Sequence, residues 1–148
     1  MKIEISNRLL VLWLILIALA IGTFFVYTKK EQKVEAVGIH ITDAKMTTGL
    51  DEQLMPLQVT DVFPRTTKLV YCWFSWADAT PKMGLKASWN YTIDDIRILL
   101  YDVQIPRRAG SGGISLTMPD GKVFPVGAYR LDFIANGKIL RSLTFKVK

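Results

Sequence analysis

The sequence predicts a mainly β fold: an antiparallel two-layer β-sandwich preceded by one N-terminal transmembrane helix. Three observations lead to this prediction. Apolar residues run from Leu9 to Tyr27 without a charged residue. After residue 33 apolar and polar residues alternate at the two-residue period of β-strands. Turn residues interrupt that alternation about every 8–12 residues, the spacing typical of sandwich domains.

The apolar segment Leu9–Tyr27 contains 19 residues. A helix of that length spans about 28 Å, close to the thickness of a bilayer hydrocarbon core. Lys29 and Lys30 follow at once and end the apolar run. The expected organisation is a tail and transmembrane helix over residues 1–28, a basic linker over 29–35 and a sandwich domain over 36–148. An alternative stays open, because Lys2, Arg8 and the small-residue pattern ending at Ala20 also fit a cleaved signal peptide.

Flanking charges do not fix the orientation, because two Lys and Arg residues precede the segment and three follow it. A short tail before a first hydrophobic segment is the usual signal-anchor arrangement. We therefore expect a bacterial inner-membrane protein with a single pass and a periplasmic or otherwise extracytoplasmic C-terminal domain.

Composition excludes several functional classes. The formal net charge of +6 is shared equally between the anchor region and the domain, so no nucleic-acid-binding stripe is expected. One Cys and one His rule out a disulfide framework and a multi-Cys zinc site, and they leave little for acid–base catalysis. We expect no enzyme activity, no metal and no cofactor.

Alternation defines the strands in order. Val37, Ile39 and Ile41 are spaced by two, and the aromatic-rich stretch Lys68–Trp76 is apolar on both faces, as in a central strand. Three further alternating stretches follow at residues 85–90, 98–105 and 114–118. The clearest element is the last, where Asn136-Gly137 joins two alternating arms as a type I′ hairpin turn.

The aromatic strand KLVYCWFSW, the strand LKASWNY and the ending FPVGAYRLDFIANGKILRSLTFKV form a frame. This frame resembles small bacterial membrane-anchored or exported immunoglobulin-like domains, which end in a P-x-G-x-Y-R strand, a hairpin and an F-x-V strand. The resemblance covers residues 68–148. It implies an immunoglobulin-like sandwich, and it implies no activity, because many of these families have no assigned function.

Isolated reactive residues have simple structural interpretations. Cys72 lies among aromatic residues and is expected in the core. His40 is expected at the surface, and Asp51-Glu52 and Asp94-Asp95 are expected in solvated turns.

The stretch Arg107–Gly113 lacks the ending of a phosphate-binding loop and is expected to be a flexible connection between strands. Its two arginines are candidate contacts to lipid headgroups or to an acidic partner. Trp76 is a further candidate partner contact, and Lys29 and Lys30 are candidate headgroup contacts.

These features together predict a non-enzymatic accessory or assembly subunit of a membrane complex, which presents a protein-binding sandwich outside the cytoplasm. The expected partners are the lipid bilayer and another membrane or periplasmic protein. A membrane-tethered module for a small ligand or glycan is the alternative. A protein-binding surface predicts a flat apolar patch or a bare strand edge, whereas a glycan site predicts exposed tryptophans in a concave site.

Overall fold

A computed structural model describes residues 38–148 except Lys82. The chain divides into two units, Met1–Ala36 and Val37–Lys148. The predicted transmembrane segment and the linker with Lys29 and Lys30 lie outside the described residues. Among the described residues there is no helix of the length and apolarity that a membrane crossing requires.

Eight strands build the domain, in the mainly β fold that the alternating sequence predicts. The strands are β1 (His40–Thr47), β2 (Val62–Phe63), β3 (Leu69–Ala77), β4 (Leu85–Tyr91), β5 (Ile96–Val103), β6 (Gly110–Thr117), β7 (Gly127–Ala135) and β8 (Lys138–Val147). One sheet has the order β1-β3-β6 and the other β2-β8-β7-β4-β5. All pairings are antiparallel except the short parallel pair of β2 with β8.

The core lies between the two sheets and takes one face of each strand. On β3 the buried side chains are Val70, Cys72, Phe74 and Trp76, and β3 is the central strand of its sheet, as its two apolar faces predict. Asn136 and Gly137 both have positive φ, which confirms the predicted type I′ turn between β7 and β8.

The domain shares two characteristic features of immunoglobulin domains and lacks a third. Trp89 on β4 is fully buried, and the Tyr129 hydroxyl donates to the Pro125 carbonyl at 2.6 Å, in the manner of a tyrosine corner. Antibody-type domains place a cysteine two residues after that tyrosine, and this chain has Leu131 there. Cys72 on β3 is therefore a single thiol inside an immunoglobulin-like core.

The glycine-rich stretch corrects one sequence prediction. Residues 110–113 are not a flexible connection but the first half of β6, paired with β3 from Trp76 to Trp73. Small residues are needed here because bulky side chains lie over the strand. A methyl group on Gly110 would come within 3.0 Å of the Trp76 ring, and one on Gly113 would overlap Leu50. The glycines that predicted a flexible connection are therefore explained by close packing against neighbouring side chains.

Candidate functional site

The β1–β2 loop, residues 48–61, carries the most exposed cluster of apolar side chains on a loop of the domain. Leu54, Met55, Leu57 and Val59 are 50%, 47%, 66% and 57% exposed. Apolar side chains scattered singly over a surface are ordinary, but four within six residues form a patch. The run Leu54-Met55-Pro56-Leu57 shows no strand alternation, and that lack of period is the sequence signal that would have identified it.

This loop is a continuation of β1 that folds back as a narrow hairpin. The backbone amide of Thr48 donates to the Gln58 carbonyl at 3.0 Å, and that of Leu57 donates to the Gly49 carbonyl at 3.0 Å. The buried Thr47 hydroxyl lies at the base of the hairpin, 2.8 Å from the Gln58 carbonyl and 3.0 Å from the Gly49 carbonyl. The two arms are therefore joined by the protein's own hydrogen bonds.

Asp51 holds the tip of the hairpin. Its Oδ1 accepts hydrogen bonds from the amides of Gln53 at 2.9 Å and Met55 at 2.8 Å. Its own amide donates to the Met55 carbonyl at 2.9 Å. The predicted solvated turn at Asp51-Glu52 thus has a defined role, because this carboxylate fixes the turn that presents the apolar side chains.

Leu54 has a φ of 60°, in the left-handed region that branched side chains rarely adopt. Such a conformation costs about 1–2 kcal/mol for a residue with a Cβ atom. Neither burial nor a polar contact of the half-exposed Leu54 side chain offsets that cost. Local strain at an exposed apolar residue is more common at functional sites than elsewhere on a surface.

Leu50 anchors the hairpin to the outer face of the three-stranded sheet. It packs directly on Gly113 of β6, which is paired in register with Trp73 of β3. Trp73 is itself half-buried, and the Lys45 ammonium lies 5.6 Å from the centre of its ring. The outer face of this sheet therefore has a partly covered aromatic side chain rather than a bare aromatic platform.

The predicted contact residues Trp76, Arg107 and Arg108 come together at the opposite end of the sandwich, which we call the entry pole. It is the end where the described chain enters β1. Trp76 is buried, and its Nε1 donates to the Arg107 carbonyl at 3.0 Å. Trp76 therefore holds the loop in place rather than offering its own ring to a partner.

Both arginine side chains at the entry pole are exposed. Arg108 forms an ion pair with Asp78 at 3.3 Å, while the Arg108 carbonyl accepts the amide of Ala79 at 2.9 Å. An open depression of about 700 Å³ lies beside them. Its lining residues are Asp78, Ala79, Thr80, Pro81, Ile105, Pro106, Arg107 and Arg108.

Cys72 and the acidic pair Asp94-Asp95 lie apart from both surfaces, whereas His40 begins β1 at the entry pole, where it pairs with Ala77. Burial raises the pKa of the Cys72 thiol to about 12, so the thiolate form is negligible at neutral pH. His40 is exposed, and Asp95 lies in the turn between β4 and β5. No three His, Cys, Asp or Glu side chains of the described residues cluster as metal ligands.

Asp132 forms the one buried polar cluster on the outer face of the five-stranded sheet. Its carboxylate accepts hydrogen bonds from Arg130 Nε at 2.9 Å, Ser142 Oγ at 2.6 Å and Asn90 Nδ2 at 3.2 Å. Because neighbouring side chains use these polar atoms, the cluster joins β4, β7 and β8 rather than forming an open site.

Comparisons with known proteins agree with the fold. No family model matches the chain, and no curated protein matches it. Among solved structures, the chain is similar to an immunoglobulin-like protein from Pseudomonas aeruginosa, with a TM-score of 0.50 and 14% identity over 74% of this chain and 96% of the other. It is also similar to the alkylpurine DNA glycosylase AlkC of Pseudomonas fluorescens, with a TM-score of 0.46 and 12% identity over 74% of this chain and 30% of the other. At 14% identity, the likeness to the first of these proteins shows the immunoglobulin-like fold alone.

Proposed function

We propose that the protein is a non-enzymatic single-pass membrane protein that acts as an accessory or assembly subunit of a membrane complex. In this proposal, residues 9–27 anchor the chain, and the extracytoplasmic sandwich binds another protein through the β1–β2 loop. The main support for this proposal is a group of four exposed apolar side chains. They lie on a hairpin that is held in place by hydrogen bonds within the domain. The immunoglobulin-like fold supplies the stiff frame on which this loop stands.

Energetics favour a protein partner at this loop. Covering apolar surface contributes about 25 cal/mol for each Å² removed from water. Binding also costs free energy whenever a flexible loop must become ordered. The hydrogen bonds of Asp51 and Thr47 reduce that cost, because they order the loop before any partner arrives.

The position of the loop along the chain supports this proposal. The chain enters β1 at the entry pole, and β1 runs for 8 residues before the loop begins. A strand of this length spans about 27 Å. The loop therefore begins at the end of β1 that lies away from the entry pole.

A small-ligand or glycan module is the second candidate, supported by the depression beside Arg107 and Arg108. Glycan sites usually offer exposed aromatic faces next to polar groups. Trp76 and Trp89 are buried, and the half-buried Trp73 lies next to Lys45. These observations favour the protein partner over the glycan.

The test is co-purification of the full chain from detergent-solubilised native membranes. We expect a stoichiometric partner that is lost when Leu57 is replaced by Asp and retained when the exposed Ser115 on β6 is replaced by Asp. Recovery of a lone chain from the membranes would contradict the accessory role. Recovery of a mature chain beginning at Ile21 in the aqueous fraction would contradict the anchor.

A further inference from the structure

Strand β5 is a free sheet edge with apolar side chains. It is the last strand of the five-stranded sheet and pairs with β4 on one side only. Ile96, Leu99 and Leu100 are 51%, 41% and 39% exposed. Backbone groups on the outer side of β5 have no partner strand within the part of the chain that the structure describes. Such an edge is a template for a further strand.

The other edge strands of the described domain are poorer templates. β2 contains only 2 residues. β6 begins with Gly110, Ser111, Gly112 and Gly113, which offer little apolar surface. β1 lies next to the second sheet, where Arg141 of β8 approaches Asp43 at 3.9 Å. A long, apolar and accessible edge is therefore found at β5.

A bulge in β5 decides which side chains share its outer face. Along β4, Lys86, Ser88 and Asn90 are two residues apart and so point to the same face. Their partners on β5 are Asp102, Leu100 and Arg97, because the register shifts by one residue at the bulge.

Arg97 and Asp102 therefore lie on the same face as Leu100, one on each side of it, and each is two positions of the β4–β5 ladder away. Without the bulge, Ile98 would occupy the place of Arg97.

We propose that β5 pairs antiparallel with β5 of a second copy of this chain, about a two-fold axis through Leu100 and normal to the sheet. The axis places Arg97 of each copy opposite Asp102 of the other, which gives two ion pairs that flank a Leu100–Leu100 contact. On the inner face it places Leu99 opposite Tyr101. The two five-stranded sheets then form one continuous sheet.

Charge selects this register over its neighbours. If the two-fold axis passed through Leu99 instead, Asp102 of one copy would lie opposite Asp95 in the turn of the other, and two negative charges would meet. An axis through Tyr101 leaves Arg97 without a carboxylate. Arg97 forms no ion pair among the described residues, and Asp102 has only the exposed partner Lys86 at 3.5 Å. Both charges are thus available for pairing between copies, and charge complementarity fixes register in such interfaces.

Charge reversal tests the proposal on the full chain in detergent micelles, by sedimentation over a range of concentrations. We expect a reversible dimer. Arg97→Asp and Asp102→Arg should each raise the dimer dissociation constant by about tenfold or more, because each places like charges opposite one another twice. The double variant should restore dimerisation, and a mixture of the two single variants should form the heterodimer.

A cysteine at the axis provides an independent measurement. Leu100→Cys should give a disulfide-linked dimer under mild oxidation, since its two copies lie directly opposite, and Cys72 is buried. The matched control is Ser111→Cys on the exposed edge β6, which should remain uncrosslinked. A monomer at all concentrations, or a dimer that ignores both charge reversals and crosslinks equally at Ser111, would overturn the proposal. Both measurements are independent of a membrane-complex partner, so the proposed function can fail without affecting them.

Discussion

Leu54 combines the strained backbone and the exposed apolar side chain of the β1–β2 loop. Its φ of 60° is a conformation that Asn adopts more readily, because the short polar side chain can bond locally. Stability and binding make opposite demands on this position. Relief of the strain stabilises the domain, whereas loss of the leucine removes apolar contact area.

We expect Leu54→Asn to raise the free energy of unfolding by about 1 kcal/mol, or about 4 °C in melting temperature, while it weakens partner binding. Leu57→Asn is the matched control, because Leu57 is more exposed but has no positive φ. That variant should weaken binding with no gain in stability. Thermal unfolding and co-purification measure the two effects. Equal melting temperatures for both variants would count against strain at Leu54.

Buried hydroxyl and thiol groups make the domain sensitive to alkaline pH. Burial raises the pKa of Cys72 from 9.0 to about 12 and that of Tyr129 from 10.0 to about 12, with a smaller contribution to Tyr129 from Tyr91. Between pH 9 and 12 the unfolded chain releases protons that the folded chain retains. The contribution of these two groups to stability is therefore constant below pH 9 and falls above it, by up to about 1.4 kcal/mol per pH unit for each group.

Cys72→Ala should remove the part of this loss of stability between pH 9 and 12 that comes from the thiol. The variant should also be less stable at neutral pH, because it loses the packing contacts of the buried sulfur. Urea unfolding at pH 8, 9.5 and 10.5 measures the slope. An unchanged slope in the variant would show that the thiol does not titrate in this interval. In the native protein at neutral pH, we also expect thiol reagents to leave Cys72 unmodified until the domain unfolds.

At the scale of elements, the packing of the β1–β2 loop on β6 depends on Gly113. A methyl group there would overlap Leu50, the residue that anchors the hairpin. The neighbouring Gly112 faces the opposite way, and a methyl group on it would meet the Trp76 ring at an ordinary 3.5 Å. The two glycines thus form a matched pair for testing how the loop is held.

Gly113→Ala should lower the free energy of unfolding by up to about 1 kcal/mol, because the added methyl group displaces the end of the half-buried Leu50 side chain. It should also expose residues 48–61 to proteolysis and reduce partner binding. Gly112→Ala should leave all three properties close to those of the native chain. Limited proteolysis with mass spectrometry identifies the cleaved segment. Similar cleavage of both variants would contradict the packing role of Leu50.

Strand periodicity in the sequence predicted most of the strands, but it did not predict where β6 begins or where β5 is irregular. The alternating residues of β7 and β8 and the turn at Asn136-Gly137 depend on local chemistry, so their prediction was correct. Residues 110–113 were misassigned because the need for glycine arises from Trp76 and Leu50, which are distant in sequence. The bulge in β5 was missed for the same reason, since it is defined by its pairing with β4.

At the scale of the whole molecule, the two ends of the sandwich have different surfaces. Arg107 and Arg108 are exposed at the entry pole, and the apolar loop follows the far end of β1. These two arginines are the candidate headgroup contacts that the sequence indicates. Each basic side chain near an anionic membrane surface contributes about 1 kcal/mol.

This arrangement can be tested with the full chain in vesicles that contain anionic lipid. A polarity-sensitive dye on Ala109→Cys should shift to the blue, and high salt or replacement of both arginines by Gln should abolish the shift. A dye on Lys122→Cys, in the β6–β7 connection at the other end, should show no shift. A shift at both positions, or at neither, would contradict headgroup contact at the entry pole.

The sequence by itself determined the mainly β class, the strands with clear alternation, the buried Cys72 and the I′ turn, because these depend on period and local backbone chemistry. The contact candidates Arg107 and Arg108 were also visible from sequence, but their joint position with Trp76 was not. Only the tertiary structure decided which strand is an edge, which glycines lie under a neighbour and which apolar residues remain exposed. Those properties belong to pairs of residues far apart in the chain, and no local pattern records them.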